Sequence, residues 1–167
     1  MLSRTARPAL RRVVAVRSMS SESAAASSLV KLNFALPHET IYNGTSVYSV
    51  ICPGLEGEYG ITANHVPYVG QLKPGVLQIL HEENTAEPEK YFVAGGYALT
   101  HADSTTDVIC PEAVKLDDID SAAVSRQFEA AKTAFGAAAA GTIEQAEAQI
   151  EMDVNRAMGL AIGVNMS

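Results

Sequence analysis

The sequence contains no apolar run near the ~20 residues that a membrane-spanning helix needs, so any membrane role read from it is peripheral. It has two cysteines, Cys52 and Cys110, which make neither a disulfide framework nor a metal-ligand spacing. Both read as buried strand thiols in a reducing compartment. Its four histidines, His38, His65, His81 and His101, stand apart, with no His-x-His pair and following acid of the kind that metal-dependent small-barrel oxygenases use. No cofactor or metal site is therefore expected. Cations are scarce after the first 28 residues: seven face 18 acids. Such a body repels phosphate backbones, which excludes nucleic acid as a partner.

What is present begins with a composition that is 47% apolar, enough for a core in one compact unit or two small ones. A chain of this size buries roughly 60–70% of its unfolded surface, so its stability is modest and a partner can add to it. The N-terminal stretch is rich in Arg, Ser and Ala. It carries Arg4, Arg7, Arg11, Arg12 and Arg17 against Glu22 alone. On a helix, Arg4, Arg7 and Arg11 share one face while Leu2, Ala6, Ala9, Val13 and Val16 share the opposite one. Pro8 makes that helix one that is induced rather than standing. Residues 1–22 read as a mitochondrial transit peptide, removed somewhere within 18–28.

Two modules follow, a β-sandwich over 29–112 and an antiparallel helical hairpin over 117–163. Val30, Leu32, Phe34 and Leu36 alternate with Lys31, Asn33 and Ala35, the period of a half-buried strand. Asn43-Gly44 predicts a hairpin turn, and residues 46–52 a strand. Lys73-Pro74-Gly75 predicts a turn in which Gly supplies positive φ. Val76–Leu80 and Tyr91–Ala94 predict strands around an acidic tip, and Gly95-Gly96 predicts a bulge or close backbone contact. The turn at 101–104 leads into a strand over 105–110. Short strands at this rhythm indicate a sandwich or barrel. After Pro111 the period changes. Residues 116–120 place acids at a helix start, and Val124, Phe128, Ala131 and Phe135 recur at helical spacing. Gly141 breaks the helix, and Thr142-Ile143-Glu144-Gln145 is a capping box. Ile143, Ala146, Ile150, Val154, Ala157 and Ala161 stripe the second helix. Its alanines bury little area each, so the hairpin is marginal unless it packs on the sandwich or another chain.

Four motifs stand in order: Gly57-Glu58-Tyr59-Gly60-Ile61, then Asn64-His65-Val66-Pro67, then Leu72-Lys73-Pro74-Gly75, then Gly95-Gly96. Together they resemble the signature of the epsilon subunit of bacterial and chloroplast ATP synthases, called delta in mitochondria. The opening 32–40 is similar to the mitochondrial branch. The resemblance covers residues 30–163. It implies a non-catalytic part of the rotor's central stalk that clamps its foot and couples proton-driven rotation of the c-ring through gamma to the catalytic head. The implied partners are the gamma subunit, a very small mitochondrial epsilon subunit and the polar loops of the c-ring, on the matrix side of the inner membrane.

The resemblance also places a subunit interface on Glu56, Glu58, Tyr59, His65, Val66 and Pro67. Glu58 would pair with a basic ring loop, with Glu56 the weaker candidate; the alternative is a solvated acid in a tight turn. His65 has no nucleophile arrangement beside it, and reads either as an interface residue or as a turn histidine bonded to backbone. Val66 and Pro67 would supply apolar contact. Some bacterial relatives bind ATP through an Ile-Asp-x-x-Arg-Ala motif. Here the stretch is Ile119-Asp120-Ser121-Ala122-Ala123-Val124, with alanine in place of the arginine, so no nucleotide binding is expected. The competing readings are a metal-dependent enzyme and a free-standing matrix adaptor.

Overall fold

The computed structural model describes residues 29–84 and 86–166; the transit-peptide reading over 1–22 lies outside the described residues. Ten strands precede two helices. They are β1 (Val30–Ala35), β2 (Thr40–Val47), β3 (Ser49–Gly54), β4 (Gly57–Thr62), β5 (Tyr68–Leu72), β6 (Gly75–Leu80), β7 (Glu89–Val93), β8 (Gly96–Thr100), β9 (Thr105–Ile109) and β10 (Ala113–Lys115). The helices are α1 (Ser121–Ala137) and α2 (Ile143–Ala161).

The strands make a sandwich. One layer runs β10-β7-β6-β3-β4 and the other β5-β8-β9-β1-β2, and the single bridge between Gly54 and Leu72 links them. The inward residues of both layers meet in one core: Leu32 and Phe34 of β1, Val50 of β3, Leu77 and Ile79 of β6 and Val108 of β9 are fully buried. β1 keeps the alternation of its sequence, with Val30, Leu32 and Phe34 buried and Lys31 exposed. Gly95 and Gly96 both take positive φ, and a Cβ on Gly96 would lie 2.2 Å from the Ile109 carbonyl. That explains the glycine pair as a close backbone crossing.

Several local expectations are corrected. Asn43-Gly44 lies inside β2, where the two residues oppose Asn33 alone; Gly44, at φ +63°, donates its N–H to Asn33 Oδ1 at 2.6 Å. The pair makes a bulge, which uses positive φ as a hairpin turn does. The turn itself comes earlier, closed by the Leu36 N–H donating to Glu39 O at 2.7 Å. Residues 46–52 are split at Tyr48, where the chain passes from one layer to the other. Gly75 has no positive φ; it is small because a Cβ there would sit 2.8 Å from the Pro53 Cβ. Asp117 and Asp118 lie in a 3-10 turn ahead of α1. Asp120 alone caps that helix, accepting from the Ala122 N–H at 2.9 Å.

The two helices pack antiparallel. Val124, Phe128 and Ala131 of α1 are buried, as their spacing predicts. In α2 the predicted stripe is not the packing face. Ile143 and Ile150 are 73% and 63% exposed, and the buried residues are Ala148 and Gly159. Met152 and Met158 of α2 pack against the cluster of Val124, Phe128 and Met166, and Gly159 is small because a Cβ there would lie 2.6 Å from Met166 Cε. Met166 folds back over Gly159 and joins Val124 and Phe128. On its sandwich side, α2 covers the outer face of β7, where Phe92 is 2% exposed beside Val154 and Met158.

Candidate interface at the end of the sandwich

The glycines of the 54–60 stretch bend the chain sharply. Gly54 pairs with Gly57 across a two-residue turn made by Leu55 and Glu56, and Gly57 takes φ +146°. A Cβ on Gly54 would meet the Gly57 carbonyl at 2.7 Å, so the turn closes only with glycine there. The next connection is equally tight. Asn64, at φ +60°, donates its N–H to Ser104 Oγ at 2.9 Å, and the His65 N–H bonds Thr62 O at 3.2 Å.

These two connections bring five of the six sequence-predicted residues to one place. Glu56, Glu58, Tyr59, His65 and Val66 line a shallow depression of about 360 Å3 with Gly57 and Tyr68. Pro67, the sixth, is exposed beside it without lining it. Tyr59 forms the floor. Its ring meets that of Tyr68 edge-on at 5.5 Å and lies across Gly70, whose hypothetical Cβ would be 2.1 Å from the Tyr59 hydroxyl. That hydroxyl is buried with only the Cys52 thiol, a weak donor, beside it. Burial pushes the Tyr59 phenol up, and pushes the Cys52 thiol up to about 12. A thiol so protonated is no nucleophile. His65 turns its Nδ1 to the Val66 carbonyl at 2.9 Å, which is the backbone-bonded reading of that residue. Its apolar groups are open to solvent: Val66 is 69% exposed and Tyr68 48%, and Leu55 beside the depression is 55% exposed. Leu55 and Tyr68 escaped the sequence reading. An apolar residue in a two-residue turn was the signal for the first; the second carried none apart from its place after Pro67. The arrangement suits contact, with acids at the edge and apolar groups at the centre.

A second polar cluster sits at the β6–β7 end. Glu89 accepts from Tyr42, from Lys115 at 2.8 Å, from Tyr91 at 2.9 Å and from His81 at 3.2 Å. Burial alone would raise its carboxyl, but these four bonds outweigh it and hold the pKa at about 2. Every group is satisfied within the cluster, so it reads as a clasp between β2, β7 and β10. Among the described residues no group of three or more His, Cys, Asp or Glu side chains is placed to hold a metal ion. No described helix is long and apolar enough to cross a membrane.

Residues 29–115 match the family model for the beta-sandwich domain of the ATP synthase delta/epsilon chain, the same span that forms the ten strands. The mitochondrial ATP synthase subunit delta of Eremothecium gossypii is 41% identical over 148 residues, 89% of this chain and 92% of that one. The chain belongs to the ATP synthase delta/epsilon family. The corresponding delta subunit of Saccharomyces cerevisiae is 41% identical over 134 residues, 80% of this chain and 81% of that one. The fold is also that of a chain in the Euglena gracilis mitochondrial ATP synthase, with a TM-score of 0.74 at 22% identity, covering 86% of this chain and 87% of that one. A Tetrahymena thermophila chain from the central stalk and c-ring has a TM-score of 0.57 at 16% identity, over 80% of this chain and 96% of that one. Delta/epsilon chains are stalk parts of the synthase rather than its catalytic subunits.

Proposed function

We propose that this chain is a non-catalytic rotor subunit in the central stalk of a mitochondrial ATP synthase, on the matrix side of the inner membrane, passing c-ring rotation through gamma to the catalytic head. The carrying observation is the depression at the sandwich end, where Glu56, Glu58, Tyr59, His65 and Val66 converge in a delta/epsilon family member. Glu58 and Glu56 face a basic residue of a ring loop. Each such rim pair contributes only about 0–1 kcal/mol, so it sets register while Val66, Pro67 and Leu55 supply the apolar contact. The gamma subunit takes the outer face of the β5-β8-β9 layer, where Val69, Tyr97 and Ile109 are 66%, 53% and 53% exposed. The small epsilon subunit completes the joint. The close-packed core suits this work, because it transmits strain instead of absorbing it.

Affinity purification of the tagged full-length chain from mitochondria, with mass spectrometry of what co-elutes, tests the proposal. Stoichiometric recovery with gamma, the small epsilon, the c-ring and the catalytic head is the expected result. Recovery of the chain alone while the synthase stays intact would overturn it in favour of a free adaptor. The hairpin takes no nucleotide on this reading, since Asp120 is spent on capping α1 and Ala123 stands where an arginine would be. ATP titrated into the full-length chain should give no saturable heat.

A further inference from the structure

The turn between β8 and β9 ends on a residue that turn chemistry alone does not explain. The chain reverses over 101–104, closed by the His101 N–H donating to Thr105 O at 2.8 Å and the Ser104 N–H donating to His101 O at 3.3 Å. Asp103 steadies it, its Oδ1 accepting from the Thr105 N–H at 3.0 Å. A turn of this kind closes on a residue in the left-handed region, where glycine is the ordinary occupant. Here that residue is Ser104, at φ +64° and buried. Among the described residues the other non-glycine residue with positive φ is Asn64, at +60°. The two are bonded to each other, the Asn64 N–H donating to Ser104 Oγ. Backbone strain persists where the surroundings over-determine it, and it concentrates at working sites.

Ser104 is fixed on three sides. Its N–H serves its own turn, its carbonyl accepts from the Lys31 N–H of β1 at 2.9 Å, and its hydroxyl holds the 63–67 connection. The turn is braced from behind as well. His101 Nε2–H donates to Asp107 Oδ2 at 2.8 Å, Asn33 Nδ2 donates to Asp107 Oδ1 at 2.6 Å, and Asn33 Oδ1 takes the Gly44 N–H. The turn is therefore fastened to β9, to β1 and to the bulge of β2 before it reaches across to Asn64. Directly after Asn64 come His65 and Val66, which line the depression. An exposed group on a connection adds to binding only by the surplus over the cost of ordering it, and holding its backbone beforehand lowers that cost. We infer that Ser104 is a positioning residue for the joint: its hydroxyl latches the 63–67 connection to the β1–β9 side of the sandwich and so pre-organises His65 and Val66 for the partner chain. The inference rests on the reading of the depression as a contact surface.

Ser104→Gly in the tagged full-length chain is the test. Glycine takes φ +64° without strain, so the variant removes the hydroxyl and leaves the turn in place. Its Tm should stay within about 4 °C of the parent's. Amide exchange at Asn64, read by NMR, should rise about tenfold while the amides of β1 and β9 keep their rates. The photo-reactive residue benzoylphenylalanine is then placed at position 66, and mitochondria carrying either chain are irradiated. The parent should give an adduct on another chain of the synthase, and Ser104→Gly should lower its yield about tenfold while the synthase still co-purifies. An unchanged rate at Asn64 overturns the inference. So does exchange that rises across β1 and β9 together with a larger fall in Tm, since the hydroxyl would then merely support the fold. Equal adduct yields from the two chains remove the latch alone. A parent chain that recovers the synthase yet gives no adduct from position 66 removes the contact reading of the depression, and the latch with it.

Discussion

The sandwich and the hairpin are held together differently. The sandwich has one core in which sixteen buried side chains from both layers interlock, Phe34 and Ile61 among them. The hairpin core has three, Val124, Phe128 and Met166, and one of those belongs to the C-terminal tail. The second module therefore draws its order from other sources: the caps of its helices and the seat of α2 over Phe92. A rotor foot needs its rigid element where torque passes, and by this comparison that element is the sandwich.

Phe34→Ala and Phe128→Ala separate the modules most sharply. Both remove a fully buried ring, and each should cost about 3–5 kcal/mol of the module that holds it. Phe34→Ala should raise amide hydrogen exchange throughout the chain, because α2 rests on the sandwich. Phe128→Ala should raise it in 121–161 while the sandwich strands keep their protection. Equal loss of protection in both modules for Phe128→Ala would mean that the chain folds as a single cooperative unit.

Within the sandwich, Gly70→Ala tests the floor of the interface. The added methyl would overlap the Tyr59 hydroxyl, at a cost of about 1–3 kcal/mol. Tyr59→Phe alone should be near neutral, since the hydroxyl has no oxygen or nitrogen partner. The double variant should recover part of the Gly70→Ala loss; additive melting shifts would show that the clash lies elsewhere.

The Glu89 clasp gives the sandwich an acid limit. Its carboxyl titrates at about 2 in the folded chain against an ordinary 4.5. A depressed pKa contributes stability that is fully present above about 4.5 and is lost as pH falls from there toward 2. Glu89→Gln should cost about 1 kcal/mol near neutral pH, the carboxylate being partly exposed and screened. It should also flatten the fall in stability between pH 4.5 and 2. A parallel downward shift of the whole profile would indicate that the carboxylate charge is not what the clasp uses.

Much of the sandwich was legible because its signals are local. Alternation in β1, the turn at Lys73-Pro74 and the glycine pair at 95–96 each state a backbone requirement within a few residues. The interface was legible as two separate motifs, and only the fold shows that the 56–59 and 65–66 stretches share one depression. What stayed hidden depends on distant partners. Asn43-Gly44 satisfies a hairpin and a bulge equally, and the Asn33 amide across the sheet decides between them. The run 46–52 favours strand throughout, so the corner at Tyr48 reflects which layer each half can join. In α2 the bulky stripe carried the stronger pattern, yet the residues it buries are Ala148 and Gly159, the latter beneath Met166 of the C-terminal tail. Periodicity identifies an apolar face without saying whether it belongs to this chain's core or to a partner.

The smallest effect expected is on the hairpin's own supports. Thr142 caps α2 by accepting from the Gln145 N–H at 3.4 Å, and the Gln145 side chain returns a bond to the Gly141 N–H at 2.9 Å. The return bond reaches one residue beyond the usual capping box, because the Thr142 N–H already bonds Ala139 O at 3.3 Å. The link between the helices is thus tied at both ends by backbone groups that Gly141, at φ +80°, lets approach. Thr142→Ala removes one acceptor at an exposed position and should cost about 0.5–1 kcal/mol. The loss should appear as faster exchange in the first turn of α2 and as no change in the sandwich. Faster exchange in the sandwich strands as well would mean that the cap of α2 supports both modules.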